Sequence, residues 1–133
     1  MNDSSEGGAA RAFVTSAESV AQKTWDDARG RIAFHTLVSG GTTPSNDLVA
    51  GFAIVEPGGS LARHRHAPAE LYHVLEGRGV VTFEGVAHAV SPGATVFIPG
   101  DAWHAVGNRF DAQLPFFYVF PGDRFEDVEY VFA

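Results

Sequence analysis

A chain of 133 residues with 45% hydrophobic and 19% charged residues has the size and composition of one globular domain with a single core. Its net charge of −7 and its 9 basic residues provide no cluster that could follow a phosphate backbone or an anionic membrane, so neither nucleic acid nor a membrane is expected as a partner. With no cysteine in the chain, disulfides, thiolate nucleophiles and cysteine-ligated zinc are excluded.

The N-terminal segment MNDSSEGGAARAF has no apolar run of the kind found in secretory signal peptides, and no run in the chain reaches membrane-spanning length. A cytoplasmic protein is therefore expected. Residues 1–10 are rich in Ser, Gly, Asp and Ala, which predicts a flexible tail before an ordered domain over residues 11–133. Residues 17–28, AESVAQKTWDDA, have a composition that allows a helix or an irregular arm, although they show no clear apolar stripe.

Short apolar or alternating segments separated by turn residues occupy the rest of the chain. RIAFHTLVS, DLVAGFAIV and AELYHVLE each end near Gly or Pro, while GVVTFEG and VAHAV flank Gly85 as a hairpin. ATVFI, WHAVGN, LPFFYVF and DVEYVF follow, again punctuated by Pro and Gly. Strands this short and this frequent predict an all-β sandwich or barrel.

A cluster of histidines and a carboxylate lies in RHRHAPAELYHVLEG, residues 63–77. Because side chains alternate along a strand, His64 and His66 share one face. If Glu70 faces them, His73 points the other way and is not a ligand. Two histidines and one carboxylate suit Fe(II) and similar divalent ions, and they leave positions open for a substrate or O2.

A fourth ligand could come from IPGDAWHAVGN, where His104 follows a tight turn and begins another strand. Tyr72 falls on the same face as Glu70, two residues further along. A tyrosine there could donate a proton, act as a base once a cation lowers its pKa, or ligate the metal. The alternative is a barrel aromatic whose hydroxyl group is simply hydrogen-bonded.

The spacing of these residues resembles the two sequence motifs of the cupin family, here residues 58–77 and 93–108. Asp101 stands where the second motif usually has glycine, so that turn is expected to be built differently, although the spacing from Pro99 to His104 is kept. The matched positions are Gly58, His64, His66, Glu70 and Gly77 in the first motif, and Gly93, Pro99, His104 and Asn108 in the second.

The resemblance implies a single-domain cupin with a double-stranded β-helix, or jelly-roll, barrel. It also implies one divalent metal ion per chain inside the barrel, held by His64, His66, Glu70 and His104. Fe(II) is the expected ion, with Mn, Ni, Zn or Co as alternatives.

An enzyme acting on a small organic molecule is the function expected from this resemblance. It would be either an O2-dependent dioxygenase or a metal-assisted lyase or isomerase. Tyr72 and the four ligand residues resemble the set in the short cupin-type dimethylsulfoniopropionate lyases, in which the tyrosine is implicated in proton removal. The alternative is a non-catalytic cupin that binds or senses a small molecule.

A homodimer is also expected, as in many small cupins, because a short barrel leaves edge strands and apolar residues uncovered. The segment predicted to extend a sheet across the two-fold axis is residues 11–38. Its large apolar residues are Phe13, Val14, Trp25, Ile32 and Phe34.

Overall fold

The computed structural model describes residues 9–133, so most of the predicted tail over residues 1–10 lies outside the described residues. Nearly all regular structure in the described part of the chain is β-strand, which confirms the all-β prediction. The strands are β1 (Lys23–Asp27), β2 (Gly30–Val38), β3 (Leu48–Val55), β4 (Ser60–Arg65), β5 (Glu70–Val74), β6 (Gly79–Phe83), β7 (Val86–Val90), β8 (Thr95–Ile98), β9 (His104–Gly107), β10 (Leu114–Pro121) and β11 (Val131–Phe132). Two 3₁₀ turns, Ala17–Ser19 and Phe125–Asp127, complete the elements.

The strands form one antiparallel sheet in the order β7-β6-β9-β4-β2-β3-β10-β5-β8, with β1 paired to β2 and β11 paired to β4. Buried residues alternate with exposed ones along β5 and with half-buried ones along β10, so one face of the sheet encloses the core. In β10 the inward set is Phe116, Tyr118 and Phe120, whereas Phe117 and Val119 point outward. Sequence parity alone could not decide between these two sets.

The helix allowed by the composition of residues 17–28 is limited to the 3₁₀ turn Ala17–Ser19, and residues 23–27 form β1 instead. Trp25 explains this difference, because its ring packs edge to face against Phe34 with centroids 5.3 Å apart. Residues 23–27 gain strand hydrogen bonds with β2 and partial burial of the Trp25 indole. These contributions outweigh the helix propensity of the segment, because it has no apolar stripe that a helix could bury.

The predicted hairpin around Gly85 is confirmed, with β6 and β7 joined by Glu84 and Gly85, both at positive φ (53° and 78°). Two consecutive positive φ angles are typical of the turns that match the twist of a hairpin. The predicted strand DVEYVF is mostly irregular, since only Val131–Phe132 pairs with β4. Within residues 9–133 no helix is long and apolar enough to cross a membrane.

Candidate metal centre and its cavity

Three histidines converge inside the barrel, and each has one ring nitrogen within 4.8 Å of the other two. His64 lies on β4 directly opposite His104 on β9, and the two ring centroids are 4.1 Å apart. His66 lies just beyond the end of β4 and remains on the same inward side as His64. All three side chains are buried, which agrees with the parity prediction for the two residues of the first motif.

Each histidine ring is oriented by a backbone carbonyl group on its outer side. The Nδ1 atoms lie 2.8 Å from the Ala62 carbonyl oxygen for His64 and 2.8 Å from the Ala102 carbonyl oxygen for His104. His66 Nδ1 lies 2.9 Å from the carbonyl oxygen of Pro68. Since a carbonyl only accepts, each Nδ1 carries the proton in the neutral ring, and the Nε2 lone pair is directed inward. This second layer of hydrogen bonds is typical of metal-ligating histidines.

Glu70 brings a carboxylate to the same point, because it is the first residue of β5 and points inward. Its Oε1 atom lies 3.0 Å from His66 Nε2 and 3.5 Å from His104 Nε2. Burial alone would raise the pKa of Glu70, but the contacts with His104 and His66 outweigh it and the pKa is lowered. The buried carboxyl group is therefore held as a carboxylate.

The pKa values of two of the histidines are shifted in opposite directions, according to the contacts that each ring makes. Burial, followed by the charge of His104, lowers the pKa of His64 to about 4. Burial would also lower the pKa of His66, but the hydrogen bond and charge of Glu70 outweigh it and raise the pKa. His64 Nε2 and His104 Nε2 have no hydrogen-bond partner among the described residues.

The donor set fits a divalent cation. The buried lone pairs of His64 and His104 face one another without a partner, which costs free energy, and the Glu70 carboxylate beside them supplies negative charge for a cation. An ion bound between His64, His66, Glu70 and His104 would satisfy all four groups at once. Imidazole nitrogen and carboxylate oxygen are the ligand types that Fe(II), Mn, Ni, Co and Zn accept.

Tyr72 points into the barrel beside these ligands, as its parity with Glu70 predicted, and only 2% of its surface is exposed. Its ring centroid lies 6.2 Å from that of His104. Burial, reinforced by the Glu70 carboxylate, raises the pKa of Tyr72 well above its usual range. The hydroxyl group is therefore neutral in the metal-free chain, and the catalytic role predicted for it stays a prediction.

A cavity of about 40 Å³ lies between the ligands and a wall of aromatic side chains. All three tyrosines of the chain, Tyr72, Tyr118 and Tyr130, line it. Tyr118 donates to or accepts from Thr36 through hydroxyl groups 2.9 Å apart. Glu70 is the one carboxylate among the lining residues, and neither lysine nor arginine lines the described cavity.

A larger groove of about 560 Å³ lies outside this cavity and shares four aromatic residues with it. The shared residues are Trp25, Phe34, Phe125 and Tyr130. Sequence reasoning did not assign these residues to the site, because they come from β1, β2 and the C-terminal segment, which carry no ligand motif. Tyr130 packs on His64 and His66 with ring centroids 5.3 and 5.2 Å apart.

Several polar residues near the ligands in sequence point away from them. His73 is exposed on the outer face, and its Nδ1 lies 2.8 Å from the Thr95 hydroxyl oxygen, so its exclusion as a ligand agrees with the structure. Arg63 and Arg65 also point outward and stack on Trp103, with guanidinium carbons 4.6 and 5.1 Å from the ring centroid.

The second-motif residues that are not ligands shape the loops around the site. Asn108 donates from Nδ2 to the carbonyl oxygens of Val55 and Ala112, as expected for a residue that fixes the backbone. Asp101 adopts the positive φ of 63° that favours glycine, so the turn keeps a left-handed residue without the usual glycine. The Asp101 amide group donates to the carbonyl oxygen of His66, which ties this turn to a ligand.

The Cupin_2 family profile, described as a cupin domain, matches residues 51–120. The chain belongs to the cupin family. The matched region runs from β3 to β10 and includes all four residues that converge on the candidate metal centre. The resemblance predicted from the two motifs is confirmed.

Known cupins similar to this chain differ in their activities. Dimethylsulfoniopropionate lyase DddW of Ruegeria pomeroyi is 40% identical over 108 residues, which cover 81% of this chain and 70% of that enzyme. The 5-nitrosalicylic acid 1,2-dioxygenase of a Bradyrhizobium species is 32% identical over 72 residues, which cover 52% of this chain and 34% of that enzyme.

Among solved structures, the polyketide cyclase RemF of Streptomyces resistomycificus has a TM-score of 0.78 and 22% identity, covering 92% of this chain and 87% of the cyclase. At this level of identity the likeness shows the shared jelly-roll fold alone, and it confirms the predicted architecture.

Proposed function

We propose that this cupin is a metal-dependent lyase that eliminates a neutral sulfide from a small sulfonium carboxylate of the dimethylsulfoniopropionate type. The observation that carries the proposal is the inward position of Tyr72 beside Glu70 and His104, in a chain 40% identical to a lyase of this class. Fe(II) is the proposed resident ion.

Tyr72 is the proposed base. A divalent ion bound beside Glu70 would supply a Lewis acid for the substrate carboxylate and a positive charge that lowers the pKa of Tyr72. Ionised to the phenolate, with its own proton released to solvent, the Tyr72 oxygen would take the proton from the carbon next to the carboxylate. The electron pair of that C–H bond forms the alkene, and the bond between the β-carbon and sulfur breaks. Acrylate and dimethyl sulfide leave, and the proton remains on Tyr72.

The aromatic wall of the cavity suits the other end of such a substrate. A sulfonium group is a cation without hydrogen-bond donors, and aromatic faces attract cations of this kind. Trp25, Phe34, Phe125 and Tyr130 surround the passage into the cavity, and Glu70 adds the negative charge inside. The lining of the inner cavity contains neither arginine nor lysine that could bind a second carboxylate, which favours an onium substrate over a dicarboxylate there. Lys23 and Arg29 line only the groove outside, where the Arg29 guanidinium carbon lies 4.3 Å from the Trp25 ring centroid.

The test is turnover of dimethylsulfoniopropionate by the Fe(II)-loaded protein, followed as dimethyl sulfide and acrylate. Tyr72→Phe is expected to lower kcat by ~10²-fold or more, because a positioned base contributes ~10²–10⁴-fold. Metal content and folding should be unchanged. The matched control is His73→Gln on the opposite face of the same strand, which should keep full turnover.

The dependence of turnover on O2 distinguishes the proposed lyase from the alternative, a dioxygenase. A lyase turns over equally with and without O2, since neither substrate nor product changes oxidation state overall. Consumption of O2 in proportion to product, with a loss of tenfold or less in Tyr72→Phe, would show a dioxygenase instead. Saturable binding of the sulfonium compound with no product would show a binding or sensor cupin.

A further inference from the structure

Tyr118 is a buried titratable residue that the proposed reaction does not use. Its side chain points into the barrel and lines the cavity beside the candidate metal centre. The Tyr118 hydroxyl group forms a hydrogen bond of 2.9 Å with the hydroxyl group of Thr36 on β2. Burial raises the pKa of Tyr118 to about 12, a rise that the hydrogen bond with Thr36 only partly opposes. The phenol therefore keeps its proton near neutral pH.

The strand register explains how a side chain of β10 reaches β2. Thr36, Gly51, Tyr118 and Tyr72 occupy one row across β2, β3, β10 and β5. A Cβ atom on Gly51 would lie 2.6 Å from the Tyr118 hydroxyl oxygen, so the phenol crosses β3 in the space that this glycine leaves. On its other side, Tyr118 is directly opposite Tyr72, and the Cβ atoms of such cross-strand pairs lie about 4.5–5.5 Å apart.

Thr36 connects the Tyr118 hydroxyl group to the outside of the barrel. It lines a surface groove of about 340 Å³, most of whose other lining side chains carry hydroxyl groups or charges. A groove of this size and polarity has room for many water molecules. Tyr118 and Thr36 therefore lie in series between the metal cavity and this polar groove. The other polar residues that line the groove are Ser19, Lys23, Ser39, Thr42, Thr43 and Glu126.

The proposed reaction leaves one proton inside the cavity at each turnover. Tyr72, which takes that proton, is almost completely buried, and the cavity of about 40 Å³ has room for little more than one water molecule. The proton therefore needs fixed groups along which it can leave. Tyr118 offers a hydroxyl group to the cavity on one side and a hydrogen bond to the groove residue Thr36 on the other.

We propose that Tyr118 and Thr36 form a hydroxyl relay that carries protons between the metal cavity and the polar groove. In the outward direction, the Tyr118 oxygen accepts a proton from the cavity and passes its own proton to the Thr36 oxygen. Thr36 in turn passes its proton to water in the groove. Each hydroxyl group breaks one O–H bond and forms another, so one proton leaves the cavity and neither residue changes its charge.

The use of this relay once per turnover rests on the proposed function, whereas the path itself follows from the row of residues. Proton exchange with solvent therefore tests the path in the full chain without substrate, with Zn(II) bound or absent. The exchange rate of each tyrosine hydroxyl group is measured by NMR in mixtures of H2O and D2O, from the isotope shift on the ζ-carbon of labelled tyrosine.

Thr36→Val keeps the shape of the side chain and removes its hydroxyl group. Exchange at the Tyr118 hydroxyl group should then slow by about tenfold or more, because the route to the groove is interrupted. A partner that only protects the Tyr118 hydroxyl group would have the opposite effect, since its removal speeds exchange. Thr36→Ser, which keeps a hydroxyl group, should exchange at the wild-type rate.

Turnover tests whether the relay serves the proposed reaction. In the Fe(II)-loaded protein, Thr36→Val should lower kcat by about tenfold or more and leave kcat/KM unchanged, because the proton leaves after the products. A displaced cavity wall would lower kcat/KM instead. Tyr118→Phe provides a second variant if Thr36→Val does not fold, and it should slow exchange at the Tyr72 hydroxyl group. The matched control is Thr82→Val on β6, a half-buried threonine outside the row, which should change neither exchange nor kcat.

The two measurements separate failure of the relay from failure of the proposed reaction. Exchange at Tyr118 that is unchanged or faster in Thr36→Val would overturn the relay, whatever the reaction is. Slower exchange in Thr36→Val, in a protein that does not turn over dimethylsulfoniopropionate, would support the relay and contradict the proposed reaction. Slower exchange with an unchanged kcat would overturn the use of the relay in turnover.

Discussion

His64 and His104 are direct neighbours across the β4–β9 pair, although they belong to different sequence motifs. Their rings lie 4.1 Å apart, and both Nε2 atoms are buried without a hydrogen-bond partner among the described residues. Strand pairing therefore forces two unsatisfied nitrogen lone pairs together. A cation bound between the two Nε2 atoms would accept both lone pairs and remove this cost. The Glu70 carboxylate beside them favours a cation over a neutral ligand.

Removal of one histidine should therefore weaken metal binding. His104→Ala is expected to lower the affinity for Fe(II) or Co(II) by ~10²-fold or more. Loss of a residue that only hydrogen-bonds to a metal ligand typically lowers metal affinity by about 10–100-fold, and loss of a ligand should cost at least as much. Isothermal titration calorimetry of the metal-free protein measures this change. His73→Ala, an exposed histidine on β5, should bind metal as the wild type does. Equal affinities in the two variants would contradict the four-ligand site.

Metal-free protein should lose stability as the pH falls from about 6.5 to about 4. The pKa of His64 is about 4 in the folded chain and 6.5 in the unfolded chain. Between these two pH values the unfolded chain binds a proton at His64 and the folded chain does not. The lowered pKa of His64 therefore stabilises the folded chain fully above pH 6.5, and this contribution is lost as the pH falls to 4. The free energy of unfolding should decrease by roughly 3 kcal/mol in total. Glu70, with its lowered pKa, acts in the same direction as the pH falls below 4.5, whereas the stability that His66 gains from its raised pKa is already complete below pH 6.5 and does not offset the loss.

Urea denaturation of the metal-free protein at several pH values measures this effect. His64→Gln should flatten the dependence, whereas the exposed variant His73→Gln should keep it. A free energy of unfolding that does not change between neutral and mildly acidic pH in the wild type would contradict the assignment.

The sequence could predict the ligand face because strand parity is a strict rule. A period of two residues places Glu70 and Tyr72 on one face of β5 and His73 on the other, and the expectation that Glu70 faces His64 and His66 makes the first face the inner one. The same rule could not decide which set in β10 faces inward, because both sets are apolar. Trp25 and Tyr130 could not be assigned to the cavity at all, since the contact between them joins β1 to the C-terminal segment. Contacts of such long sequence separation leave no local pattern.

Gly51 should be intolerant of a side chain because it lies opposite Tyr118 in the β3–β10 pair. A Cβ atom there would lie 2.6 Å from the Tyr118 hydroxyl oxygen and would also meet the carbonyl oxygen of His35. Gly51→Ala is therefore expected to displace Tyr118 from Thr36 and to destabilise the fold by about 1–3 kcal/mol. Gly107→Ala, which has no atom within 4 Å of the new Cβ, is the matched control and should cost much less in thermal denaturation. Similar losses in both variants would contradict this account.

Substrate entry should require the C-terminal segment to move. The cavity of about 40 Å³ has room for little more than one water molecule, which occupies about 30 Å³ in the liquid. Trp25 and Phe34 are held by the β1–β2 pair, whereas Phe125 and Tyr130 lie on a segment attached to β4 through the two-residue strand Val131–Phe132. The less anchored pair of aromatic residues is therefore expected to open.

A disulfide between Arg65→Cys and Val131→Cys tests this movement, because these exposed residues face each other across β4 and β11 and the chain has no other cysteine. Oxidation should lower turnover by about tenfold or more, and reduction should restore it, since lid motions often limit turnover. The control pair Thr82→Cys and Ala87→Cys crosses the β6–β7 hairpin, and its oxidation should change nothing. Binding of azide to the Co(II)-loaded protein, read from its visible spectrum, reports access to the cavity even without a substrate. Equal azide binding in the oxidised and reduced forms would show that the segment need not open.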